Sequence, residues 1–263
     1  MVGSGKFPSG KQVAIRALLL REVVAHAFAT PRDRRDKMRA SASDADWKAS
    51  LAQAASIQSG RLKRIQRWRK HLTRDETEFL AATLDTMTEQ QHRDNQWRLE
   101  ALQVLAWALG HFITIPPYDV QSDDQILKMW PPIGFERDIS KTRLISSDRI
   151  IHAREIAELW HWRSRTRRLI DSGAKWPEAL SRPEEGFTSY EAVARMAARA
   201  ALDRGDLPRL IEDDFVAFGK PYRDLNAEQY SLVTSIARER HFALNWLCGY
   251  APGNHWDKTP TDT

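Results

Sequence analysis

The stretch Asn226-Ala-Glu-Gln-Tyr-Ser-Leu-Val-Thr-Ser-Ile-Ala-Arg-Glu-Arg-His-Phe-Ala-Leu-Asn-Trp-Leu247, followed by Cys248-Gly249, decides the fold class. Asn226 and Gln229 stand at capping spacing, and Gly249 is placed to stop a helix. At about 100° per residue, Val233, Ile236, Ala237, Arg240, Leu244 and Leu247 share one face. Arg240 falls in the middle of that apolar stripe. A buried guanidinium without a partner is costly, so an acid is expected to meet it: Glu100, Glu155, Asp257 and Asp262 are the candidates. Trp246 falls on the opposite side with Phe242 and Glu239. The helix is therefore expected to be covered twice, with Trp256 returning as the second cover.

The same period runs through the rest of the chain. Val13, Ile15, Leu18, Leu19, Val23, Val24 and Phe28 predict a helix over 11–29, capped by Ser9 and stopped before Pro31. Arg32 to Arg39 reads as a charged connector. Ser43 and Asp44 start an alanine-rich helix through Ile57 that ends at Gly60, and Arg61 to His71 follows as a short basic helix. The capping boxes Thr73-x-x-Glu76 and Thr88-x-x-Gln91 predict helices over about 74–86 and 89–110. From Phe112 to Thr142, prolines 116, 117, 131 and 132 exclude long regular elements. Ser146 or Ser147 caps a long helix to about Ile170, and Ser189 caps another to about Leu202. Phe215, Val216 and Phe218 before Gly219-Lys220-Pro221 change the pattern. They predict a minor short β or extended element near residues 209–222. The expected fold is mainly α, a compact multi-helix array forming one globular domain over residues 1–263.

Composition agrees with a folded chain. Hydrophobic residues make up 42%, enough for a core in 263 residues, and no apolar run approaches the roughly 20 residues of a spanning helix. No membrane association is expected. Met1 to Ser9 lacks the charge, apolar stretch and small-residue site of a secretory signal, so a cytoplasmic location is expected. Cys248 stands alone at the apolar end of a helix, which excludes an internal disulfide and reads as a small core residue.

Charges recur on apolar faces. Trp97, Glu100, Ala101, Val104, Trp107 and Ala108 group on the helix 89–110, and Ile151, Glu155, Glu158, Trp162 and Leu169 on the next long helix. One reading is a structural ion network that includes Arg240. The other is a pocket in which Glu100, His161 and Arg240 act as catalytic or binding groups.

Several motifs carry a resemblance. Arg240-x-x-Ala243-Leu244-x-Trp246-Leu247, then Trp256-Asp257 and Asp262-Thr263, together with Trp97-x-x-Glu100-Ala101-x-x-x-Leu105-x-Trp107-x-Leu109-Gly110 and His161-Trp162, resemble the bacterial domain of unknown function 4272 family. The resemblance covers most of the chain, and is weakest in the basic N-terminal part, about residues 1–72. It implies that Glu100, His161, Arg240, Trp246, Trp256 and Asp257 share a common feature, and it brings no established activity.

Other chemistry is poorly represented. The eight histidines stand singly, and Glu158-x-x-His161 is one copy of a step that needs two to build a carboxylate metal site, so no metal and no cofactor is expected. Gly3-Ser-Gly5-Lys6 lacks phosphate-loop spacing, and there is no Gly-x-Ser-x-Gly elbow. Arg61, Lys63, Arg64, Arg67 and Arg69 around Trp68 form a basic run that could hold nucleic acid, and Arg163, Arg165, Arg167 and Arg168 form another. Yet 40 Lys and Arg face 35 Asp and Glu, which makes the positive charge local. Ten Trp and many Arg are the residue types of interface anchors. The expected function is therefore binding of another protein, in the manner of an immunity-type protein that neutralises a partner toxin. An enzyme or small-ligand-binding protein and a nucleic-acid-binding protein are the alternatives.

Overall fold

Ser9 opens α1 (Gly10–Phe28) through a reciprocal capping box with Gln12. In this computed structural model the backbone is described for residues 6–29, 32–83, 86–131 and 135–261, and the side chains of 32–35 and 38 are left aside. The expected role of Asp262, like the start of the Gly3-Ser-Gly5-Lys6 motif, lies outside the described residues. The described residues are mainly helical, with 68% helix and one two-stranded antiparallel sheet, which is the fold class expected from the periodicity. Among them no helix is long and apolar enough to cross a membrane.

The residues group into two compact units. The first comprises 1–115, 122–146 and 246–259; the second comprises 116–121, 147–245 and 260–263. α1 is the centre of the first unit. Val13, Ala14, Ala17, Leu19, Leu20, Val23 and Val24 are fully buried, so the helix is apolar on nearly every side. It packs along α5 (Glu89–Ala108), whose residues Leu99 to Ala108 are likewise all buried. A Cβ at Gly10 would stand 2.1 Å from the Thr142 carbonyl oxygen, so this close approach requires glycine.

Three boundaries differ from expectation. The connector read at Arg32 to Arg39 is helical, α2 (Arg32–Ser41). Its Arg, Lys, Met and Ala are good helix formers, and charge alone does not break a helix. α3 (Asp44–Ile65) runs through Gly60 and continues as a 3-10 turn, Gln66–His71. One glycine costs about 1 kcal/mol in a helix, less than the anchoring by Ile65, which is buried, and by Gln58, which donates to the Leu80 and Ala82 carbonyls. α4 (Arg74–Ala81) stops short of 86, where Thr86 Oγ1 accepts from the Thr83 amide and closes a local turn. Between α5 and the next long helix there is only the single turn α6 (Ile126–Met129) and short 3-10 turns, as the prolines require.

The second unit holds α7 (Ser147–Asp171), α8 (Tyr190–Asp203) and α9 (Ala227–Leu247), the last of which runs on into the first unit at Trp246. Strands β1 (Val216–Ala217) and β2 (Lys220–Pro221) pair antiparallel, in register Val216 with Pro221. Phe218 and Gly219 both have positive φ, the conformation a two-residue hairpin needs. Trp160, Phe215, Tyr222, Leu225, Val233 and Ala237 are core residues of this unit. The buried face of α7 is not the expected stripe: Ile151, Glu155 and Leu169 are exposed, while Ile150, Ala157, Trp160, His161, Arg163 and Ser164 are buried. Polar groups can occupy it because each finds a partner. Ser164 bonds the Tyr222 hydroxyl at 2.7 Å, and Arg163 meets Asp214.

Candidate functional site

Arg16 has the spacing of a core residue, three after Val13 and four before Leu20, and it is 4% exposed. Burial obliges its charge to find a partner. Its Nη2 donates to Glu76 at 2.5 Å, and its Nη1 reaches the His71 carbonyl at 3.4 Å. Glu76 also accepts from the Thr73 amide, while Thr73 Oγ1 accepts from the Glu76 amide, completing the predicted capping box. The Arg16–Glu76 pair thus ties the start of α4 to α1. The Arg16 guanidinium lies 5.0 Å from the Trp256 ring centroid. Its Nε–H has no acceptor among the described residues.

These groups open on a cleft of about 350 Å³ in the first unit, lined by Arg16, Lys70, His71, Thr73, Arg74 and the segment Asn254–Asp257, with Trp246 behind. Trp246 donates to the Asn254 carbonyl at 3.0 Å and meets Trp256 edge to face at 5.3 Å. The expected second cover of the last helix is therefore present at its end. Asp257 is exposed, lines the cleft and forms no ion pair among the described residues. Three cations and one carboxylate line this space. Burial, and then the positive charges of Lys70 and Arg16, hold the His71 imidazole below its usual pKa. Of the three cations, Arg16 is paired with Glu76 and Arg74 with exposed Glu78.

The other candidates are found in both units. In the first unit Glu100 is fully buried and accepts from the Ser122 amide at 2.7 Å and its hydroxyl at 2.8 Å, with Trp107 buried and Trp97 half-buried on the same helix. In the second unit Arg240 is fully buried, as the stripe predicted. It donates to the carbonyls of Pro116 and Pro117 at 2.5 and 3.1 Å and of Val120 at 3.0 Å, and it lies 5.1 Å from the Tyr118 ring centroid. Glu155 and Asp257, two of the acids expected to meet Arg240, are exposed and form no ion pair among the described residues. Within this unit backbone carbonyls surround it, because two consecutive prolines leave oxygens with no helical partner. Glu158 takes a bidentate pair from Arg154 at 2.7 and 2.9 Å, and Trp162 is half-buried.

His161 and His241, both buried, place their Nδ1 atoms 3.0 Å apart in the second unit. One ring must donate and the other accept, which requires at least one neutral imidazole. Burial, then the neighbouring His161 and Arg154, hold His241 down to about 3. Its ordinary value is about 6.5, so the unfolded chain takes up this proton first as pH falls. The stabilising contribution is complete above pH 6.5 and is lost as pH drops toward 3. Between pH 7 and 5 the loss amounts to about 2 kcal/mol from this residue. Urea unfolding across that range should therefore show a flatter pH profile for His241→Phe than for the parent. Parallel profiles would place the proton uptake elsewhere.

The basic run is largely committed within the fold. Arg64 pairs with Glu22 at 3.0 Å; Arg67 pairs with Glu136 at 3.0 Å and stacks 3.9 Å from Trp68; Arg61 is half-buried. Lys63 and Arg69 remain exposed. In the second run Arg163 pairs with Asp214, and Arg167 with Asp171 and two carbonyls.

No curated protein and no solved structure matches the chain. A family model, "Domain of unknown function (DUF4272)", matches residues 2–186. The match includes Trp97 to Gly110, His161-Trp162 and the basic N-terminal part, and it ends before Arg240 and the Trp256-Asp257 pattern. The α1–α4 wall of the cleft thus lies inside the matched residues and its Trp256 wall beyond them, and the chain belongs to the DUF4272 family.

Proposed function

We propose that this protein acts by binding, in the bacterial cytoplasm, and that the cleft of the first unit receives an acidic group of a partner protein. The observation that carries this reading is the gathering of Arg16, Lys70 and Arg74 around one cavity beside a single carboxylate. Lys70 and Arg74 are exposed, so they are available to a partner. Desolvated charge pairs of this kind set partner choice and association rate. Cys248, buried and in no disulfide, fits a reducing compartment. In its finer form the reading is an immunity-type protein that neutralises a toxin by covering it. The engagement of Arg64 and Arg67 with Glu22 and Glu136 weighs against nucleic acid.

The test is cross-linked affinity capture from native cells with the parent and a Lys70→Glu/Arg74→Glu variant. A partner held by the parent and lost from the variant, with both melting alike, is the expected result. Equal capture by both, or turnover of a small molecule by a parent that holds no partner, overturns the proposal.

A further inference from the structure

We infer that the first unit carries a second binding site, an apolar cavity with Arg61 in its wall, and that it takes a small amphipathic carboxylate, an apolar body ending in one acid group. This site shares no residue with the cleft described above and does not depend on the acidic-partner reading. The cavity, of about 400 Å³, is formed by α3, the end of α1 and the residue Thr83 beyond α4, and it has the size and mainly apolar lining of a small-molecule pocket. Leu51, Ala54, Ala55 and Ile57 of α3 and Ala29 after α1 supply the apolar wall. Ile57 is 50% exposed there, apolar surface that the fold itself leaves uncovered.

Charge selects the polar end of the ligand. Gln58 and His26 also line the cavity, but both are engaged with carbonyls at the end of α4: Gln58 donates to Leu80 and Ala82, and His26 Nε2 meets the Ala82 oxygen at 3.1 Å. Arg61 makes no hydrogen bond or ion pair among the described residues, and its half-buried guanidinium is not sealed from solvent. The acid that acts on it, Glu22, already has one oxygen taken by Arg21 at 2.6 Å and the other by Arg64 at 3.0 Å. Three guanidiniums therefore compete for one carboxylate. Burial holds Arg61 below its usual pKa; Glu22 opposes the lowering, and Arg64 and Arg21 add to it. A ligand carboxylate offers this planar fork two oxygens in one plane. A phosphate dianion would bring a second charge against an apolar wall, which is costly, and a neutral or cationic amphiphile would leave Arg61 without a partner.

Decanoate, decanol, decyltrimethylammonium and acetate, titrated calorimetrically into the full chain and into Arg61→Gln and Ala54→Leu variants of matched melting temperature, test the site. Decanoate should bind the parent at least roughly tenfold more tightly than decanol or the ammonium, the worth of one charge-assisted hydrogen bond. Acetate, which lacks an apolar body, should give no measurable binding. Arg61→Gln should bring decanoate down to the level of decanol, whereas Ala54→Leu, which fills the cavity, should weaken both and keep the contrast between them. A second readout is the His26 ring. Burial, and after it the charge of Arg61, holds its pKa down, so in the parent saturated with decanoate it should titrate at higher pH by NMR. Decanol or the ammonium binding as tightly as decanoate denies Arg61 the recognition and overturns the proposal, as does acetate binding as well as decanoate. Undiminished decanoate binding by either variant removes the site from this cavity. Binding of none of the probes overturns the site and leaves the reading of the cleft standing.

Discussion

Replacing Asp214 by alanine should destabilise the second unit by about 3–5 kcal/mol, the usual result of stranding one member of a buried charge pair. Arg163 and Asp214 are both nearly inaccessible and form a bidentate pair with two 2.7 Å hydrogen bonds. Asp214 also accepts from the backbone amides of Phe215 at 2.8 Å and Arg223 at 3.0 Å. Its loss therefore leaves a buried guanidinium and two amides without acceptors, in a core that includes Tyr222 and Phe215. Arg163 already has one unsatisfied nitrogen, Nη1, so it has little reserve. The partner substitution should behave differently. In Arg163→Met the carboxylate keeps both amide donors and the aliphatic stem is replaced in kind. Urea unfolding should thus rank Asp214→Ala as the more damaging of the two. The reverse order, or a loss under about 1 kcal/mol for Asp214→Ala, would mean that water replaces the pair.

Arg240→Met should cost a similar amount, about 3–5 kcal/mol, by a different route. What is lost is a group that gathers the Pro116, Pro117 and Val120 carbonyls; Pro117 still accepts from the Val120 amide, and each buried acceptor left unmet costs about 1–3 kcal/mol. Tyr118 lies between these carbonyls in sequence and stacks on Trp160 at 5.0 Å, nearly parallel, so the segment brings an aromatic anchor to the core of the second unit. Arg240→Lys retains the charge but concentrates its donors on one atom, and it should recover part of the loss. Protease cleavage near residues 116–120 offers a local readout. It should rise in the methionine variant and less in the lysine variant, and an unchanged cleavage rate would deny Arg240 this anchoring role.

Much of the secondary structure was legible because its causes are local. The Ser9–Gln12, Thr73–Glu76 and Thr88–Gln91 boxes formed as read, and each links residues three apart. The misreadings were local as well. A run of charges was taken for a connector, and Gly60 for a stop, where neighbouring helix formers prevailed. On α7 the apolar stripe through Ile151 and Leu169 looked more buriable than the face carrying His161, Arg163 and Ser164. Asp214, Tyr222 and His241, contributed by later segments, reversed that ranking by satisfying the polar groups. Arg16 was equally accessible to helix arithmetic, and the Thr73 cap beside it was identified, but nothing local joined them into a cleft.

The sequence by itself determined that the chain is helical, where most helices begin, that Arg240 is buried and that Trp256 returns to cover the end of the last helix. These follow from propensity, capping and a 3.6-residue period, all of which act over a turn or two. Only the tertiary structure decided what the buried charges meet. Arg16 and Glu76 are 60 residues apart, and Arg240 and Pro116 are 124 apart. A hydrogen bond is won by whichever acceptor the packed backbone brings within about 3 Å, and no periodicity along the chain encodes that choice.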